Sequence, residues 1–170
     1  MLDRYNIDWE VLPDRAHSML FDPDWVPPKV LGITPVKGMA RNEEESTYRS
    51  KAQNIIVLDL RDKAAFETSH VPGSLNLPID SAEELNPYKD PPTMVRQFKI
   101  LEKRLSADDP EFGEALNGKV VLTLSYRGHI GRLAMSVLRN REIQAHCVMG
   151  GYEKWKECGL WGPWKKARNA

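Results

Sequence analysis

The sequence predicts an α/β domain, a mostly parallel central sheet with helices packed on both faces. Three observations lead there. Short apolar runs rich in β-branched residues occur at Ile55–Leu60, Val120–Leu124 and Ala145–Met149, the pattern of strands covered on both sides. Segments of helical character fall between and after them, and alternation of this kind is the mark of a parallel sheet. The chain has 170 residues with 41% hydrophobic and 28% charged, an ordinary balance for one folded domain.

Taken in order, residues 1–50 stand apart. They carry Pro13, Pro23, Pro27, Pro28 and Pro35 and end in the polar run Arg41 to Ser50, and no period persists. They read as an irregular N-terminal extension, with the domain proper over 51–170. Trp9, Leu12, Leu20, Phe21, Trp25 and Val26 are too apolar for a free tail, so part of the extension is expected to pack on the domain. Ile55–Leu60 is the first strand. Ala64–Thr68 is a short helix, Val71-Pro72-Gly73 a turn, and Ser74–Pro78 a short strand. Pro91-Pro92 opens a helix, where proline is tolerated, and Met94, Phe98, Leu101 and Leu105 form one stripe along it. Asn117-Gly118 turns the chain into the strand Lys119–Leu124. A loop, Ser125 to Ile130, leads into a helix with Leu133, Ala134, Val137 and Leu138 on one face. Ala145–Met149 is the last strand, Gly150-Gly151 ends it, and Tyr152–Cys158 is the closing helix. Trp155, Trp161 and Trp164 are expected to pack the C-terminal segment, and Lys165-Lys166-Ala167-Arg168 reads as a solvated basic tail.

Charge and composition exclude several classes. Lys+Arg and Asp+Glu are each 24, a formal net charge of zero, which argues against a nucleic-acid binder relying on bulk charge. No apolar run approaches the ~20 residues that span a bilayer, and Met1-Leu2-Asp3-Arg4-Tyr5 does not open a secretory signal. With 2 cysteines, Cys147 and Cys158, a disulfide scaffold and a four-cysteine zinc site are excluded. The simplest location is the cytoplasm or another reducing compartment. His17, His70, His129 and His146 have no metal-ligand spacing, so neither a metal nor a cofactor is expected.

In parallel sheets ligands sit at the carboxyl ends of strands. The loop after Leu124 lies at such an end and runs into a helix N-terminus, where amide donors and the helix dipole favour anions. Ser125 to Gly131 is therefore the candidate site. Gly128 lets the loop curl so that successive N–H groups turn inward, and Arg127, His129 and Arg132 are placed to add positive charge.

Three segments now carry a resemblance. Ile56–Asp62, Phe66 and His70-Val71-Pro72-Gly73-Ser74-Leu75-Asn76-Leu77-Pro78 resemble the first signature of rhodanese-like domains. Val120–Leu124 with the following loop and helix resembles the family's active-site segment. Val148-Met149-Gly150-Gly151-Tyr152 with Trp155 resembles its closing motif. Together they cover residues 54–160 in the family's order. Residues 1–50 lie outside, and 81–116 is longer than a minimal member needs. The resemblance implies a three-layer rhodanese-like fold and a sulfurtransferase that moves a sulfane sulfur from thiosulfate or a persulfide to a thiol or cyanide. It implies a cysteine nucleophile at the first loop position, which here is Ser125. Ile130 stands where many members carry arginine, Gly131 takes the place of the usual small polar residue, and Ser69 replaces a common glycine.

Serine breaks that mechanism. Sulfur transfer needs a thiolate, whose pKa a helix N-terminus lowers. An alcohol is far less acidic and forms no stable persulfide. A serine nucleophile needs a base; His129 is the nearest in sequence, no third group orients it, and there is no Gly-x-Ser-x-Gly elbow. Ser125 is either an introduced Cys→Ser change or a natural loss of the nucleophile, and enzymatic activity follows only if the natural residue is cysteine. A phosphatase-like reading fails because an arginine is wanted at position 131, where Gly131 stands. Gly128–Gly131 also fits a G-x-x-G nucleic-acid clamp, which zero net charge and the preceding strand oppose.

The remaining residues read as support. Asp59 and Arg61 form an ion pair that anchors the loop after the first strand, and His70 is a buried hydrogen-bonding histidine. Tyr126, Arg127, Gly128, His129, Ile130, Gly131 and Arg132 make up the anion-binding segment with Ser125. Cys147 is an inert core thiol, and Cys158 is more exposed. The expected partner is a small sulfur-containing anion such as thiosulfate or a persulfide donor. The alternative is a non-catalytic interaction or anion-sensing module that meets a protein through residues 1–50 or 81–116.

Overall fold

The computed structural model describes residues 10–21, 55–81 and 86–159. Trp9, Trp25, Val26, the run 41–50, Trp161, Trp164 and the basic tail lie outside them. In chain order the elements are β1 (Glu10–Val11), α1 (Pro13–Phe21), β2 (Ile55–Asp59), α2 (Lys63–Thr68), β3 (Leu75–Asn76), a 3-10 turn (Pro87–Lys89), α3 (Pro91–Arg104), β4 (Val120–Leu124), α4 (His129–Asn140), β5 (Ala145–Val148) and α5 (Gly151–Glu157). The five strands form one sheet in the order β1-β5-β4-β2-β3, and every pairing is parallel.

All five residues of β4 are buried, which is what its unbroken apolar run requires of a central strand. Two cores cover the sheet. On one face α3 and α4 bring Leu101, Leu133, Ala134, Val137 and Leu138 against Leu58, Val121 and Cys147. On the other, Ala16 of α1 and Trp155 of α5 meet Val57, Leu122, Leu124 and Val148. The result is the three-layer arrangement expected from the sequence. The stripe on α3 buries Leu101 and, just past its end, Leu105 completely, with Met94 and Phe98 packed beside them.

The start of the chain differs from the expectation of an irregular segment. Glu10 and Val11 pair with Cys147 and Val148 as the edge strand of the sheet, and Pro13–Phe21 is a nine-residue helix. Pro13 does not break this helix because it occupies the first position, where its missing N–H would have no intrahelical acceptor. A two-residue strand is too short to show a period.

Candidate functional site

The site is built on the carboxyl ends of β2, β4 and β5. Ser125 follows β4 and is 1% exposed. The Gly128 N–H donates to Ser125 Oγ at 3.0 Å and the Gly131 N–H at 3.1 Å. The loop thus converges two amides on the first side chain it carries. Gly131 makes that approach possible. A Cβ there would lie 2.9 Å from Cys147 Sγ and 3.2 Å from Ser125 Oγ.

The opening turn of the loop is held by α5. Its Tyr152 N–H donates to the Ser125 carbonyl at 2.7 Å and its Glu153 N–H to the Tyr126 carbonyl at 3.0 Å. These bonds fix the Ser125–Tyr126 and Tyr126–Arg127 peptides, the first of which gives its N–H to Asp80. The contact is close enough to demand glycine. Gly151 has a φ of 64°, and a Cβ there would lie 2.3 Å from the Ser125 carbonyl oxygen.

Around this seat stand charged and aromatic groups. The Tyr126 N–H donates to Asp80 Oδ2 at 2.7 Å, and the Tyr126 hydroxyl donates to Asp62 Oδ2 at 2.6 Å. That bond, with the one from the Ala65 N–H, holds the Asp62 carboxyl below its ordinary range. Burial first, then the Asp62 carboxylate, pushes the Tyr126 phenol far up, so it stays a donor. Arg127 Nε lies 3.4 Å from Glu153, and Arg132 Nε lies 3.8 Å from Glu10. Arg132 Nη2 is 2.9 Å from His129 Nδ1; because guanidinium can only donate, that ring nitrogen accepts. Burial, then the Arg132 and Arg127 charges, lower the His129 pKa.

Beneath the loop, Asp59 and Arg61 are 0% and 1% exposed and share a bidentate bond, with Nη2 to Oδ2 at 2.7 Å. Arg61 also donates to the Ser69 carbonyl at 2.7 Å and lies 4.5 Å over the Tyr152 ring. His70 is half-buried, with Nδ1 2.7 Å from the Phe66 carbonyl and its ring stacked on Phe66 at 4.0 Å. These three therefore fix backbone, and His70 is half-buried where the sequence suggested a buried histidine. Ile130 is buried in the core with α4. Cys147 is buried with Sγ 3.6 Å from the Gly128 carbonyl, and burial pushes its thiol up to about 12. Cys158 is exposed. Among the described residues no group of three His, Cys, Asp or Glu is placed to hold a metal, and no helix is long and apolar enough to cross a membrane.

The order of these parts is also that of a known family: the profile described as Rhodanese-like domain matches residues 44–158. The chain belongs to the rhodanese-like domain family. Among solved structures it is similar to a full-length protein from Lactobacillus plantarum, with 17% identity, TM-score 0.47, and 94% of this chain and 89% of that one covered. It is similar to a rhodanese-related protein from Thermoplasma volcanium, with 18% identity, TM-score 0.40, and 65% and 84% covered. It is also similar to a probable thiosulfate sulfurtransferase, with 18% identity, TM-score 0.47, and 90% and 46% covered; the chain spans less than half the length of that protein. Among curated proteins no sequence matches the chain.

Sequence reasoning brought the loop residues together and missed the carboxylates that face them. Asp80 had one available signal: it comes four residues after β3, at the carboxyl side of the sheet where ligands bind in parallel folds. Glu10 and Glu153 had none, since each meets its arginine through the tertiary fold.

Proposed function

We propose that this rhodanese-like domain is of the sulfurtransferase type with the nucleophile's place held by Ser125, and that it performs no persulfide turnover with serine there. The observation that carries the reading is the pair of amides at 3.0 and 3.1 Å on Ser125 Oγ. Two N–H donors on one atom stabilise a negative charge at that atom, which is what a sulfur nucleophile needs. A thiol at this position at the start of α4 would be held as thiolate. The serine hydroxyl gains no such activation, because amides take no proton and His129 turns an accepting nitrogen to Arg132.

With cysteine restored the chemistry closes. The thiolate attacks the outer sulfur of thiosulfate, the S–S bond breaks, and sulfite leaves with the electron pair. The cysteine then carries a persulfide anion. Cyanide or a thiolate attacks the terminal sulfur and returns the cysteine thiolate. With a persulfide donor the leaving group is the donor's thiolate.

The test is Ser125→Cys. The expected result is a protein that gains the mass of one sulfur atom on exposure to a sulfane donor and forms thiocyanate with cyanide, while the parent does neither. A folded Ser125→Cys chain that takes sulfur from no donor would overturn the reading. It would favour the second one, a recognition module without a transfer step. That alternative has its own supporting observation: Arg127 and Arg132 already face Glu153 and Glu10.

A further inference from the structure

We propose that Asp80 is a resident counter-anion of the active-site loop. It sets the seat against doubly charged sulfur donors, in favour of persulfides and other species with one negative charge. The inference rests on the sulfurtransferase-type reading and names the donor class of that same seat.

Its basis is the bond from the Tyr126 N–H to Asp80 Oδ2, at 2.7 Å. That amide belongs to the residue next to Ser125, so a carboxylate is fixed at the edge of the seat. Its backbone is tied down: the Ile79 and Asp80 N–H groups both donate to the Leu60 carbonyl, at 3.2 and 2.8 Å. A swinging side chain on a loose loop would yield to an incoming anion; one held at both backbone and carboxylate yields less.

The arginines nearby are engaged with other carboxylates, Arg61 with Asp59 among them. Arg127 and Arg132 each have a carboxylate within 4 Å, and the Tyr126 hydroxyl is given to Asp62. Burial, then the Arg132 and Arg127 charges, lower the His129 pKa. The Gly128 and Gly131 amides are taken by Ser125 Oγ, so an anion entering the seat meets the Ser125 hydroxyl with Asp80 beside it. A second charge on the ligand doubles its repulsion from Asp80. Thiosulfate carries two charges; a persulfide sulfur or a thiosulfonate carries one.

The test begins with the unmodified chain. Thiosulfate and methanethiosulfonate, a doubly and a singly charged ligand, are titrated by calorimetry at fixed ionic strength. The singly charged ligand is expected to bind at least about fivefold more tightly. Asp80→Asn keeps an oxygen for the Tyr126 N–H and removes the charge. It is expected to tighten thiosulfate at least about tenfold and methanethiosulfonate about threefold, the square root of that factor. In the Ser125→Cys background the same substitution is expected to raise kcat/KM for thiosulfate about tenfold and that for cysteine persulfide only about threefold. Equal affinities in the unmodified chain, or an unchanged thiosulfate affinity in a folded Asp80→Asn protein, would overturn the inference. If Asp80→Asn does not fold, the comparison of the two ligands on the unmodified chain decides alone. The two ideas fail separately: an inactive Ser125→Cys sinks the transfer reading, and an absent charge preference sinks the role of Asp80.

Discussion

At the residue scale, Gly151 shows how closely the loop is held. Its φ is 64°, and a Cβ would lie 2.3 Å from the Ser125 carbonyl oxygen and 2.8 Å from the Gly128 nitrogen, both backbone atoms that cannot step aside. Gly118 has a similar φ of 70° with open space around it. Gly118→Ala is expected to lose only the backbone cost, roughly 1 kcal/mol. Gly151→Ala adds overpacking and is expected to lose at least about 2 kcal/mol. Urea unfolding of the two variants checks this, and equal losses would show that the close approach carries no energy. Ser125 itself was legible in the sequence, because a buried strand, a glycine-bearing loop and a helix follow one another without interruption. Asp80 was legible only in its place after β3 at the ligand end of the sheet, because its bond to Tyr126 spans 46 positions and no local pattern encodes such a pairing.

At the scale of elements, the strands and helices from β2 onward follow from run length, β-branching and apolar spacing, the signals that burial on both faces writes into a chain. β2 ends at Asp59 rather than Leu60, and α5 begins at Gly151 rather than Tyr152. β1 and α1 escaped because five prolines interrupt any period in residues 1–50, while the residues that matter occupy only two strand positions and one helix stripe. Val11 is 3% exposed and packs with Leu124, Val148 and Trp155, and its carbonyl accepts from the Met149 N–H at 2.8 Å. Val11→Ala is accordingly expected to destabilise the protein by roughly 1–2 kcal/mol and to speed amide hydrogen exchange at Met149. A neutral substitution with unchanged exchange would mean that β1 contributes nothing to the sheet.

At the scale of the whole molecule, acid sensitivity follows from Asp62. The Tyr126 hydroxyl, then the Ala65 amide, lower its pKa from the ordinary 3.8. The unfolded chain takes up this proton first as pH falls. The stability that the carboxylate contributes is therefore present above that value and is lost as pH drops through the lower folded value. Tyr126→Phe removes the largest cause. The variant is expected to be less stable than the parent near neutrality, with the gap closing in acid, when urea midpoints are followed down the acid limb. A gap that stays constant with pH would assign the loss to packing alone.

The bonds from α5 to the loop reach further than the loop itself. The helix that clasps the Ser125 and Tyr126 carbonyls also carries Trp155, which is 0% exposed in the core beneath. Reorienting either of those peptide groups must tug on the same short rod that holds the indole. A ligand that turns either peptide is thus expected to register at a built-in optical reporter, as a shift in tryptophan emission without any attached label.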